Sequence, residues 1–462
     1  MTLTRTEVDA FGPIDVPAAA LWGAQTERSL RFFAIGSQRM PLALIHAMAQ
    51  IKRAAAEVNC ALGLLDATKA AAIAAAAQSV ARGQCDAEFP LSLWQTGSGT
   101  QSHMNVNEVI ANLASRELGG EVGAARCVNA HDEVNLGQSS NDVVPSAMHV
   151  AVVLRMPLLL AALDALRQAL RDKATDFAQT LKVGRTHLQD ATPVTLGQEF
   201  GGYEAQLALV QSSLQHALPA LHRLAIGGTA VGTGLNTHPD FGRRVAARLA
   251  EHLGPPFVVA DNLFAALAGQ EPLVALHAAL KGLAVALTKI GNDIRLMGSG
   301  PRAGLAEIRL PENEPGSSIM PGKVNPTQVE ALAMVCAQVM GHDVAITIAA
   351  SQGQFELNTC LPLIAGNVLD SLQLLTDSLH SFTLHCVAGI TVDEARTREL
   401  LARSLMLVTA LTPHIGYARA AQMAKHAHAQ GLTLREAALA VGGVSAEDFD
   451  RWVDPARMLG PG

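Results

Sequence analysis

The feature that most constrains this chain is a series of long alanine- and leucine-rich stretches. Their apolar residues run around much of the helical circumference. The spacing predicts helices over about 144–180, 193–223, 261–298 and 326–350. A lone subunit cannot bury faces that wide, so the pattern predicts helices bundled across subunits. Phe, Tyr and Trp together make up only 4% of the residues, which disfavours extensive sheet. The expected fold is mainly α, with a central bundle of long helices. Shorter helices are predicted over 41–61, 67–81, about 104–118 and about 240–252. On the first of these, Leu44, Met48, Ile51, Ala55 and Val58 share one face. The first 40 residues are mixed and turn-rich. Boundaries near 138 and 393 divide the chain into an N-terminal mixed domain (1–138), a long-helix domain (139–393) and a small, more charged helical domain (394–462).

Charge and motif content exclude several function classes. The net charge of −7 leaves no basic excess to neutralise phosphates, so no nucleic-acid partner is expected. An acidic substrate must then be drawn by a local cationic site. Six scattered cysteines without CxxC spacing read as reduced core residues of a cytoplasmic protein. Glu7 and Asp9, with no apolar run around them, argue against a targeting peptide. Arg155, Pro157, Asp164 and Arg167 interrupt the most apolar stretch, so no membrane span is expected there. Gly316–Lys323 approaches a phosphate loop, but five residues separate its glycines and Val324 stands where a magnesium-binding hydroxyl belongs. Gly298–Ala303 follows a helical segment rather than a strand, which disfavours a dinucleotide loop. His426 and His428 lie two apart on a predicted helix and would face different ways, so they do not form a metal pair.

Four polar islands remain between the long helices: GSGTQS at 97–102, GQSSND at 137–142, GRTHLQDA at 184–191 and GSSIMPGKVNPTQVE at 316–330. In the last, Gly316, Pro321 and Gly322 predict a loop. Asn325 reads as a helix N-cap with Pro326 at the first helical position. A loop tied to a helix N-terminus, with Lys323 at the join, suits holding an anion and moving a proton near it. Each island alone has an ordinary reading as a cap or turn. A lone His187 would more often be a satisfied core residue, and Glu330 a first-turn carboxylate favoured by the helix dipole. Four such islands in one chain point instead to a composite site.

GSSIMPGKVNP resembles the signature of the fumarase/aspartase superfamily. The rest of the chain resembles class II fumarases almost throughout: LWGAQTERSL, WQTGSGTQS, QSSNDV, GRTHLQDATPVTLGQE, GGTAVGTGLNTHP and SLMLVTALTPHIGY. The resemblance implies a homotetramer with a central helix bundle, each site built from three chains. It implies reversible hydration of fumarate to L-malate through an aci-carboxylate, with no metal and no organic cofactor. Histidine after Thr186 favours this over ammonia addition, for which glutamine is typical there. By the same resemblance Ser317 is the base for the carbon-bound proton, and His187 paired with Glu330 serves the water side. Ser98, Thr100, Ser139, Ser140, Asn141, Thr186, Lys323 and Asn325 would hold the two carboxylates of a small dicarboxylate.

Three positions depart from the family pattern. Asn129-Ala130-His131-Asp132 stands where His-Pro-Asn-Asp is common, a turn associated with a second dicarboxylate site. Asn129, His131 and Asp132 are thus candidates for it, with histidine and asparagine exchanged. His103 stands where asparagine is usual. The stretch 358–362 lacks the usual basic residue. A substituted fumarate such as mesaconate is the alternative substrate.

Overall fold

A computed structural model describes residues 3–460. Most of the periodic stretches become helix close to the expected bounds: Leu42–Ala61, Ala67–Ala81, Thr100–Glu117, Ser140–Asp176, Leu196–Leu221, Phe241–Leu253 and Thr327–Ala350. The expected helix over 261–298 is instead two, Leu263–Ala268 and Glu271–Met297, because Gly269 takes an extended conformation between them. The expected start near 104 moves back to Thr100, since Gly99 supplies the left-handed turn that lets the helix begin there. The chain divides into two compact units.

The first unit holds residues up to Leu160, Ser212–Ala284 and Ala337–Leu375. It opens on an antiparallel hairpin, Thr4–Asp9 with Gly12–Pro17, in a region expected only to be turn-rich. Leu42–Ala61 packs on Ala67–Ala81, and that helix on Thr100–Glu117. Leu44, Met48, Ile51, Ile73, Val106 and Ile110 are buried between them. Asp66 starts the second of these helices by accepting the Thr68 and Lys69 N–H groups. Buried Glu108 accepts the Gly23 and Gln25 N–H groups at 2.9 Å and the Thr26 hydroxyl at 2.6 Å, which anchors the Ala24–Phe32 helix. Burial pushes the Glu108 carboxyl up.

Parts of the long helices Ser140–Asp176, Leu196–Leu221, Glu271–Met297, Thr327–Ala350 and Leu361–His385 complete this unit. Leu273, Leu276, Leu280 and Leu283 line one buried stripe, and Leu361, Ile364, Val368, Leu372 and Leu375 another, at three- and four-residue spacing. A polar chain threads the same layer. Lys281 donates to Asp343 at 2.5 Å, Asp343 meets His277 at 3.1 Å, and Ser371 lies 2.9 Å from both His277 and His342. Each buried polar atom there needs its neighbour, so the chain fixes the register of three helices.

The second unit holds Ala161–Gln211, Val285–Cys336 and the chain from Thr376 onward. Its distinguishing element is a hairpin, Leu181–Thr186 with Gln189–Thr195, where the sequence suggested only a polar island. Val183 at its base sits in an apolar cluster with Leu401, Leu407, Leu411, Met423, Leu434 and Phe449. Glu307, fully buried, takes both arms of Arg185 at 2.9 Å. Lys182, also buried, donates to Glu199 at 2.7 Å. Removing one partner of a buried pair like Arg185–Glu307 leaves a charge without compensation, which costs about 3–5 kcal/mol.

Ser140–Asp176, Glu271–Met297 and Thr327–Ala350 are long and apolar enough to cross a membrane by length and composition. Only 33% of the most apolar window of Thr327–Ala350 is buried, and Met334, Val344 and Ile348 lie exposed along it. The six cysteines are unpaired, but Cys127 is exposed, contrary to the expected core placement of them all.

Candidate functional site

The candidate residues fall into two groups, one in each unit. In the first unit, Ser98 and Thr100 flank the left-handed Gly99, and their hydroxyls lie 2.8 Å apart. Gly97 must be glycine, because a Cβ there would sit 1.5 Å from the Thr359 carbonyl oxygen. Gln95 and Gln101 tie this loop down, Gln101 accepting the Thr96 N–H and Gln95 accepting that of Ser102. Ser139, Ser140 and Asn141 form the entry to the Ser140–Asp176 helix. Ser139 accepts the Asn141 N–H, and the Asn141 amide donates to the Ala230 carbonyl at 2.8 Å. Ser140 Oγ lies 2.7 Å from His103 Nδ1, which joins the two islands.

Asn129, His131 and Asp132 belong to the same unit. The Asn129 side chain caps the 130–134 turn by accepting the His131 and Asp132 N–H groups. The Gln25 amide donates to His131 Nε2 at 2.7 Å. Beside this turn is a cavity of about 410 Å³, lined among others by Asn129, Asp132, Lys69, Arg126, Glu7 and Glu133.

In the second unit, Ser317 sits in a tight exposed loop. Its Oγ accepts the N–H groups of Ile319 at 3.3 Å and Met320 at 3.0 Å. The loop is clipped shut by Gly316 N–H to the Lys323 carbonyl at 2.8 Å and by the Asn325 amide to the Gly316 carbonyl at 2.6 Å. Asn325 therefore closes the loop and does not cap the helix. Pro326 takes the cap position, accepting the Glu330 N–H at 3.1 Å, and the helix starts at Thr327. Lys323 and Glu330 are exposed and carry no ion-pair partner among the described residues.

Thr186 and His187 stand at the tip of the second unit's hairpin. Thr186 pairs with Gln189, so His187 and Leu188 are the two turn residues, both at φ 58°. This two-residue turn demands positive φ at both positions, which asparagine and glycine supply cheaply and these residues do not. Each such residue costs roughly 1–2 kcal/mol. Within the one chain His187 and Glu330 make no ion pair.

The matches to known proteins span nearly the whole chain. Residues 12–341 match the family described as Lyase, and 407–460 the one described as Fumarase C C-terminus. A fumarate hydratase class II of Chromobacterium violaceum is 63% identical over 99% of this chain and 100% of its own. The chain belongs to the class II fumarate hydratase family. A second member, from Ralstonia nicotianae, is 60% identical over 99% of both chains. The crystal structure of recombinant class II fumarase from Schistosoma mansoni matches with a TM-score of 0.96 at 43% identity, covering 99% of each chain. The mainly helical fold expected from the sequence is that of this family.

Several supporting residues escaped the reading of motifs. Asp142, fully buried, accepts the N–H groups of Ser139, Gly227 and Thr229 at 2.9–3.0 Å. It thereby joins the Ser139–Asn141 island to the glycine-rich loop after Ile226. Burial pushes its carboxyl up to about 6, against those three N–H groups and the Lys52 charge. Lys52, also fully buried, donates to Asn135 at 2.9 Å and Gln138 at 2.8 Å. Burial holds its amine well below the usual lysine range. A lysine beside Met48, Ile51 and Ala55 on an apolar helix was the available signal. The Ile319 and Met320 donors are backbone groups and leave no mark in the sequence.

Proposed function

We infer that the protein catalyses the reversible hydration of fumarate to malate. The observation that carries this is the full-length relation to class II fumarate hydratases, 63% identical over 99% of the chain. In the malate-to-fumarate direction Ser317 takes the proton from the carbon next to a carboxylate. The resulting aci-carboxylate carries two negative charges, which fixed donors must meet as they develop. Lys323, Asn325, Thr186, Ser98, Thr100, Ser139, Ser140 and Asn141 hold the carboxylates. Serine is ordinarily far too weak a base. The Ile319 and Met320 N–H groups aimed at Ser317 Oγ support the role, because donors to the charged form favour an alkoxide. His187, charged form supported by Glu330, gives its proton to the departing hydroxyl and takes one from water in reverse. Asn129, His131 and Asp132 serve as a second, weaker dicarboxylate contact. Lys69 and Arg126 attract an anion there, while Glu7, Asp132 and Glu133 oppose it.

The same reading takes the working form as a cytoplasmic homotetramer whose sites draw on three chains, with subunit divisions near 138 and 393. The uncovered Met334, Val344 and Ile348 support it, since a second copy of the helix would bury them. The ultraviolet absorbance of the conjugated double bond, followed with fumarate, mesaconate, malate and aspartate, tests the substrate. Fumarate and malate should interconvert fastest. Consumption of aspartate without malate would sink the assignment.

A further inference from the structure

Ser140 is proposed above to donate its hydroxyl to a substrate carboxylate, and a hydroxyl has a single proton to give. That proton has a competitor. His103 Nδ1 lies 2.7 Å from Ser140 Oγ, and the imidazole is 1% exposed. A neutral imidazole carries its hydrogen on one nitrogen and accepts on the other. If Nδ1 accepted, Ser140 would spend its proton on His103 and present only lone pairs to an anion. The Nε2–H left over would also be a buried donor with nothing to meet, because His103 Nε2 has no hydrogen-bond partner among the described residues. If Nδ1–H donates, both difficulties vanish, and the buried Nε2 is left only with an unused lone pair. Burial holds the imidazole well below its usual pKa, with Lys52 and His131 acting in the same direction.

We propose that His103 is a positioning residue for the hydration reaction. As a neutral Nδ1–H imidazole it donates to Ser140 Oγ, and so aims the Ser140 proton at the substrate carboxylate. The proposal rests on Ser140 being a carboxylate ligand. It gives a use to the histidine that replaces the asparagine expected at this position. An asparagine amide occupies the place of Nδ1 and can make the same donation.

Steady-state kinetics with fumarate test this through His103→Leu, His103→Asn, His103→Gln, Ser140→Ala and the double variant H103L/S140A, each checked for its thermal midpoint. Losing one aligned hydrogen bond to the anion predicts a KM raised about tenfold in His103→Leu, with kcat changed less than about threefold. His103→Asn should keep KM within about threefold of the parent, while His103→Gln, whose amide falls at the Nε2 position, should resemble leucine. In the Ser140→Ala background, His103→Leu should add nothing to KM. Should leucine destroy the fold, the asparagine–glutamine contrast still decides. An unchanged KM in His103→Leu beside a raised KM in Ser140→Ala would overturn the proposal and leave the Ser140 assignment standing. An equal extra loss in the double variant would do the same. An unchanged KM in Ser140→Ala would remove Ser140 as a ligand, and the role of His103 with it.

Discussion

The two groups of candidate residues are held in opposite ways. Around Ser139–Asn141 the support is buried: Asp142 gathers three backbone N–H groups, His103 meets Ser140, and Lys52 bridges Asn135 and Gln138. Ser317, Lys323 and His187 instead ride on exposed turns, held by bonds between near neighbours in sequence. Groups that only grip a carboxylate gain from rigidity, because a fixed donor costs no reorganisation when charge develops. Groups that move protons must reach the substrate and then release it, and a loop carried on a rigid frame allows that. On the proposed roles the buried frame only grips, while the exposed turns carry proton transfer at Ser317 and His187 together with part of the grip at Lys323, Asn325 and Thr186.

The strongest way to break this comparison is Ser317→Ala. Its hydroxyl receives two N–H groups in an exposed turn, so its loss should leave the thermal midpoint nearly unchanged. Losing a positioned base should lower kcat roughly 10³-fold, about 4 kcal/mol of barrier. Near-parental turnover in a folded variant would take Ser317 out of the mechanism.

How much of this was legible in the sequence follows the same division. Apolar periodicity placed the long helices Ser140–Asp176, Leu196–Leu221 and Thr327–Ala350 within a few residues, because burial of one face is a many-residue signal, but it gave no helix over Leu361–His385. The polar islands were visible because Gly, Ser and Asn cluster where helices stop. The hairpin under His187 was not visible. Its Arg185–Glu307 and Lys182–Glu199 pairs put charges where an alternating strand would show apolar residues, and its turn holds His187 and Leu188 in place of asparagine and glycine. The reassignment of Asn325 from cap to loop clip was equally hidden. The choice depends on where the Gly316 carbonyl ends up, nine residues away.

The buried frame should also be the acid-sensitive part. His149 donates to the Arg223 carbonyl at 2.9 Å, and burial lowers its pKa to about 4. Between pH 6.5 and about 4 the unfolded chain therefore binds a proton that the folded one refuses, so this contribution to stability is lost as pH falls, about 3 kcal/mol in all. His103 acts in the same direction. Asp142, raised to about 6, opposes both, since the folded state holds its proton better between pH 4 and 6. Denaturant melts of the parent and His149→Asn across this window isolate the histidine. The variant should be less stable at pH 7 but lose less on acidification, and an unchanged slope would exclude His149 as the source.

The smallest expected effect tests the exposed tips. Leu188 is 73% exposed at φ 58°, so its side chain adds little packing within the chain while its backbone is strained. Leu188→Gly should relieve that strain and raise stability by up to about 1 kcal/mol. If the strained turn is kept because it fixes the direction of His187, the more stable variant should turn over more slowly, through kcat rather than KM. The strain would then be retained for aim, as expected of backbone outliers at working sites. A variant that gains stability and keeps its full kcat would mean that the hairpin tip needs no such restraint. One that loses stability would mean that Leu188 is covered in the assembled protein, and that the tip is less exposed in its working form than a single chain suggests.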